Sequence, residues 1–170
     1  MSDTRCLYPG SFDPVTLGHM DIIRRAARIF DGVVVGVLHN PDKQGVFPVA
    51  KRVEMLEKAC RDIPNVQIIS YGGLLAQCVR DLGISVVIRG VRGMSDLESE
   101  TVMARINHQL NPDLETLFLP ASEGKGEISA SMVRQLASFG ADLSAYVPEQ
   151  ALPDILAAFQ CSPTIHKEER

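Results

Sequence analysis

Five short runs rich in β-branched residues recur along this chain, and a stretch of helical period separates each from the next. The runs fall at 5–8, 33–38, 66–70, 85–88 and 115–119. Between them apolar residues form stripes: Ile22, Ile23, Ala26, Ala27 and Phe30 make one, and Val53, Leu56 and Cys60 another. A period that switches between about 2 and 3.6 indicates strand–helix units. Repeated units of this kind form a parallel sheet covered by helices on both faces. The expected helices cover 17–30, 50–61, 74–82, 96–110 and 131–140, and a sixth follows Pro148, a residue favoured in a first helical turn. The expected fold class is therefore α/β, a doubly wound five-stranded parallel sheet with a C-terminal helix.

The 170 residues suit one domain, expected over 1–160. Residues 161–170 are polar, lack an apolar stripe and carry Pro163, so they read as a flexible tail. No signal peptide is evident at the N-terminus, and the longest apolar run, 32–38, is far too short to span a bilayer. The four cysteines, Cys6, Cys60, Cys78 and Cys161, form no C-x-x-C pair, and no histidine stands at a zinc-ligand spacing from them. They read as reduced, mostly buried thiols in a cytoplasmic protein. A formal charge of −4 argues against nucleic acid as a partner but leaves room for a small anionic ligand.

In an open parallel sheet, ligands bind beyond the carboxyl ends of the strands. The expected loops there, 9–13, 39–43, 71–75, 89–93 and 121–129, each add glycine, a cation or a hydroxyl to the same edge. Gly10 and Gly18 would let backbone approach a ligand closely. Thr16 is a plausible N-cap, and the helix N-terminus after it is an anion site. His19 falls in that first turn, where a charged histidine is disfavoured by the helix dipole. A ligand explains its presence better than helix stability does, and a bound polyphosphate would favour its protonated form. Taken alone, the histidine reads as a core or capping residue; the glycines and loops around it weigh against that. Arg89 and Arg92 flank Gly90 at a strand end, where guanidinium suits phosphate. The stretch Gly124-Lys125-Gly126 lacks the G-x-x-x-x-G-K-S/T spacing, and G-x-G-x-x-G is absent too. That excludes a Walker-type kinase and a standard dinucleotide dehydrogenase.

Thr16-Leu17-Gly18-His19 resembles the H/T-x-G-H signature of the nucleotidyltransferase superfamily, and Ile128-Ser129-Ala130-Ser131 resembles its second signature, I-S-S-S/T. The strings YPGSFDPVTLGH, IRGVR and EISASMVR, in this order, are similar to those of the bacterial phosphopantetheine adenylyltransferases. The resemblance implies a Rossmann-like fold and a homohexamer. It also implies magnesium-dependent transfer of adenylate from ATP to 4′-phosphopantetheine, giving dephospho-coenzyme A and pyrophosphate. By that resemblance His19, Lys43 and Arg92 are catalytic, and His19 stabilises charge on the transferring phosphate. Ser11, Lys43, Leu75 and Arg89 hold the acceptor. Gly10, Ser11, Phe12, Gly18, His19, Gly90, Val91, Arg92, Glu100, Lys125, Gly126, Glu127, Ile128, Ser129, Ala130 and Ser131 bind ATP. Metal ligands are not implied. Ser99, Lys125, Ala130 and Gln135 depart from the family's usual residues, which touches the adenine and pantetheine contacts rather than the phosphate set. Two rival readings are another nucleotidyltransferase, acting on nicotinamide mononucleotide or glycerol phosphate, and a non-catalytic adenine-nucleotide sensor. The sensor would have no use for His19, Lys43 and Arg89 together.

Overall fold

The computed structural model describes residues 4–39 and 45–159. Its strands are β1 (Arg5–Gly10), β2 (Gly32–His39), β3 (Val66–Gly72), β4 (Val86–Val91) and β5 (Glu115–Pro120). Helices α1 (Leu17–Ile29), α2 (Val49–Ala59), α3 (Leu75–Leu82) and α4 (Met94–Leu110) connect successive strands, and α5 (Ala130–Ser138) and α6 (Leu152–Ala158) follow β5. All strands are parallel, in the order β3-β2-β1-β4-β5. The α/β, Rossmann-like expectation holds.

Alternation within the central strands sends side chains to both faces. Cys6 and Tyr8 of β1, with Val33, Val35 and Val37 of β2, pack in one apolar cluster with Ile23 of α1, Leu56 of α2, Val133 of α5 and Ile155 of α6. Leu7, Val34 and Val87 point the other way and meet Cys78 and Val79 of α3. Leu7, Val35 and Ile23 are completely buried, and each such side chain contributes about 1.5–3 kcal/mol. Cys6, Cys60 and Cys78 are buried free thiols, as expected, whereas Cys161 and the expected tail lie outside the described residues. No helix among the described residues is long and apolar enough to cross a membrane.

The chain starts at the centre of the sheet, runs outward through β2 and β3, then crosses over to β4 and β5. The direction of winding reverses between β1 and β4, so a crevice opens beyond their carboxyl ends.

The strands run further toward that crevice than the sequence suggests. Pairing of β1 with β2 continues to Gly10↔Val37, and that of β4 with β5 to Val91↔Pro120. Pro9, Gly10, Arg89, Gly90 and Val91 therefore belong to strands, not loops. Proline and glycine read as strand breakers in isolation, but pairing to a neighbouring strand keeps these residues extended. The last helix also differs from expectation. Pro148 heads a turn, accepting from the N–H groups of Ala151 and Leu152, and the proline in the first turn of α6 is Pro153.

Candidate active site

Thr16 caps α1 with extended backbone, φ −126° and ψ 166°. Its Oγ1 accepts from the His19 N–H at 3.3 Å, and its own N–H donates to His19 Nδ1 at 3.1 Å. A capping box is thus closed with histidine in the place usually held by Glu or Gln. Since Nδ1 accepts a hydrogen bond, the neutral ring carries its proton on Nε2. The Phe12 ring meets the imidazole edge-on, with centroids 4.9 Å apart. Phe12 itself has φ +47°, a left-handed conformation uncommon outside glycine.

His19 both closes the α1 cap and lines the polar cavity described below, so a capping role does not remove it from the site. Burial first, and then the Arg92 and Arg89 charges, pull the imidazole pKa down to about 4. Without a bound ligand His19 is therefore neutral near pH 7, first because it is buried and second because Arg92 and Arg89 stand near it.

Within β4, Arg89 is half-buried, and each of its three guanidinium nitrogens makes one hydrogen bond. Its Nε and Nη2 donate to the two Glu100 carboxylate oxygens at 2.7 and 2.5 Å, and Nη1 donates to the Pro9 carbonyl at 2.7 Å. Arg92 forks onto Asp96 at 3.0 and 3.0 Å, and this contact holds the Asp96 carboxyl below the usual carboxylate range. Ser129 caps α5, accepting from the Met132 N–H at 3.1 Å. The N-termini of α1 and α5 converge because Gly18 has no side chain: a Cβ there would lie 3.2 Å from the Ile128 carbonyl oxygen.

Two cavities open here. The first, about 380 Å³, is lined by Gly10, Ser11, Gly18, His19, Arg89, Gly90, Arg92, Glu100, Lys125, Ile128, Ser129, Ala130 and Ser131 among the residues expected from sequence. The second, about 330 Å³, is bounded by Leu75, Leu74, Leu38 and Met103. Gly10, Ser11, Arg89 and Glu100 border both. One cavity thus presents cations and two helix N-termini, and it communicates with an apolar groove past an Arg–Glu pair.

Some expected residues stand elsewhere. The Phe12 side chain is buried in the core, where it supports the His19 ring instead of facing a ligand. Val91, Gly126 and Glu127 line neither cavity, and Lys43 lies outside the described residues. Of the departures from the family pattern, Lys125 and Ala130 line the first cavity, whereas Gln135 and Ser99 line neither. Ser99 is exposed and donates to the Asp96 carbonyl.

Sequence reasoning missed Tyr8, Ile22, Asp96 and Arg134 in the first cavity and Leu38, Met103, Asn107 and Thr116 in the second. Helical spacing offered a signal for two pairs. Ser131 and Arg134 are three apart on α5, and Met103 and Asn107 four apart on α4, so each pair shares a face.

The chain matches the cytidylyltransferase-like family over residues 7–136. It is 49% identical to a phosphopantetheine adenylyltransferase of Finegoldia magna, over 94% of this chain and 98% of that one. A Clostridium kluyveri protein of the same name is 45% identical, over 92% of this chain and 95% of its own. Among solved structures, a putative nicotinate-nucleotide adenylyltransferase from Vibrio parahaemolyticus superposes with a TM-score of 0.67 at 16% identity, covering 94% of this chain and 97% of that one, a likeness of fold.

Proposed function

The chain belongs to the cytidylyltransferase-like family and, within it, to the phosphopantetheine adenylyltransferases, and from that premise we propose how its two cavities carry the reaction. ATP occupies the polar cavity and 4′-phosphopantetheine the apolar groove. A terminal oxygen of the acceptor phosphate attacks the α-phosphorus of ATP in line. The bond from that phosphorus to the bridging oxygen breaks, and its electron pair leaves with pyrophosphate. Dephospho-coenzyme A is the other product.

The observation that carries this reading is the shared wall of the two cavities at Ser11, Arg89 and Glu100. Two anionic phosphates can meet only where cations and donors face both. His19 Nε2–H donates to an α-phosphate oxygen as charge grows there, and Ser11 binds both phosphates. Arg89 and Lys43 hold the acceptor phosphate. Arg92, Lys125 and the α5 N-terminus, with Ser129 and Ser131, hold the triphosphate. Leu74, Leu75 and Met103 bound the pantetheine arm. No side chain acts as a covalent nucleophile. The rate comes from positioning and charge neutralisation.

Nucleotidyltransferases of this family use a divalent metal with ATP, and we propose Mg2+. Among the described residues no cluster of three or more His, Cys, Asp or Glu could hold a metal. The carboxylates in the cavity, Asp96 and Glu100, are both bound to arginines. That donor set fits a cation brought on the ATP phosphates with its own waters, where it neutralises triphosphate charge.

Pyrophosphate release from ATP is expected with 4′-phosphopantetheine and to be slight with nicotinamide mononucleotide or glycerol phosphate. Equal kcat/KM for the three acceptors would sink the assignment of the apolar groove, since apolar contacts discriminate by only about 1–3 kcal/mol each and several must act together.

We further propose a homohexamer in the cytoplasm, each chain forming one domain over residues 1–160. The only buried residue of α4 is Asn107, while Val102, Ile106 and Leu110, spaced four apart along it, are exposed. An apolar helix face of this kind supports a subunit contact. Light scattering should give a mass near six times the 18.6 kDa chain; a monomer mass at micromolar concentration would refute it.

A further inference from the structure

Asp13 and Arg52 are 7% and 6% exposed, lie outside both cavities and belong to no described subsite. Removing two charges from water is costly, and such a pair is a poor stability device compared with apolar packing. Its hydrogen bonds go almost wholly to backbone. Asp13 Oδ1 accepts from the Phe47 N–H and Oδ2 from the Val46 N–H, both at 2.9 Å. Arg52 Nε donates to the Phe47 carbonyl at 2.7 Å and lies 3.3 Å from Asp13 Oδ1. Arg52 Nη1 donates to the Ser11 carbonyl at 3.3 Å. On the other side, Arg134 Nη1 from the polar cavity donates to the Asp13 carbonyl at 2.5 Å.

Three backbone segments are joined by these contacts. The first, 11–13, includes the left-handed Phe12 that buttresses His19. The second, 45–47, follows Lys43 by two positions in sequence. The third is α5. Gly45 lies so close that an added Cβ would come 1.8 Å from Arg52 Nη2 and 2.7 Å from Asp13 Oδ2.

We propose that Asp13 and Arg52 are positioning residues that hold the Ser11–Asp13 turn and the 45–47 segment in register, so that acceptor and nucleotide phosphates meet in line. The inference rests on the adenylyltransferase reading above. A 1 Å misplacement remote from the chemistry can cost about 10²-fold in rate, which is the scale expected here.

The test compares wild type with Asp13→Asn, Arg52→Lys and Gly45→Ala, using 4′-phosphopantetheine, ATP and pyrophosphate detection. Asp13→Asn should lower kcat/KM for the acceptor by about 30–100-fold and change the equilibrium Kd for ATP less than about threefold. Arg52→Lys keeps the charge but loses the planar fork that reaches the Phe47 and Ser11 carbonyls from two separate nitrogens, so it should resemble Asp13→Asn. Full activity in Arg52→Lys would show that only charge matters and would overturn positioning. Should Asp13→Asn fail to fold, Gly45→Ala decides. Its methyl displaces the Arg52 fork from an exposed site, and the same acceptor defect at near-native melting temperature supports the proposal, whereas wild-type kinetics overturns it. An inactive wild type would instead reject the adenylyltransferase reading, so the two failures are distinguishable.

Discussion

Replacing His19 with asparagine should lower kcat by about 10²–10³-fold, the usual loss when one transition-state donor is removed, while leaving the fold intact. The imidazole does two separable things. Nδ1 accepts from the Thr16 N–H and closes the α1 cap, and Nε2–H faces the polar cavity as a donor. An asparagine side chain can reach the Nδ1 position, so the cap persists, but nothing replaces Nε2–H. Glutamine, a usual capping-box residue at this position, should likewise keep the cap and a melting temperature near that of the native protein. Near-native turnover in His19→Asn would remove the residue from the chemistry. A large fall in its melting temperature would make the cap its main role.

The charge state adds a second readout. The native imidazole titrates at about 4, below the ordinary value of 6.5. As pH falls, the unfolded chain takes up this proton first. The stabilising contribution is therefore full above about pH 6.5 and declines as pH falls toward 4. A difference NMR titration of wild type against His19→Asn should find an imidazole signal that moves only below about pH 5. Titration near 6.5 would show that the ring is not held neutral.

Removing the Arg89 guanidinium should cost even more. In Arg89→Ala the Glu100 carboxylate, 19% exposed in its side chain, would face both cavities unpaired where two phosphates must meet. Truncating one partner of such a charge pair typically costs about 2–5 kcal/mol, or about 30- to 5,000-fold. We expect kcat/KM for 4′-phosphopantetheine to fall by at least about 10³-fold, at the severe end of that range because Arg89 also binds Pro9 O. Adding Glu100→Gln to Arg89→Ala should recover about tenfold, because part of the loss is the stranded negative charge. Arg89→Lys should recover little, as lysine lacks the planar fork. A loss below about fivefold in Arg89→Ala would refute the assigned role, and so would equal damage to ATP binding and acceptor use.

Local pattern alone determined the strand–helix alternation, the α/β class and the edge of the sheet where the two cavities open. Each of these follows from residues close together in the chain. Stripes such as Ile22, Ile23 and Ala26 reflect helical period, and Thr16 reflects a capping preference that acts over three positions. Gly18 and His19, which line the polar cavity, were legible as the start of that helix for the same reason. Tertiary structure alone decided what these residues do to one another. The neutral state of His19 needs Arg89 and Arg92, some seventy positions away, together with burial. The pairing of Arg89 with Glu100 needs α4 folded over β4, and the wall of the second cavity needs Met103 and Asn107 brought beside Leu38 and Leu75. Pro9 and Gly10 could be seen as strand residues only once β2 was paired alongside them. Phe12, which reads as part of a binding loop, has φ +47° and buries its ring in the core. Contacts between distant segments depend on the packing of the whole sheet, and local sequence preference, which acts over a few residues, cannot encode them.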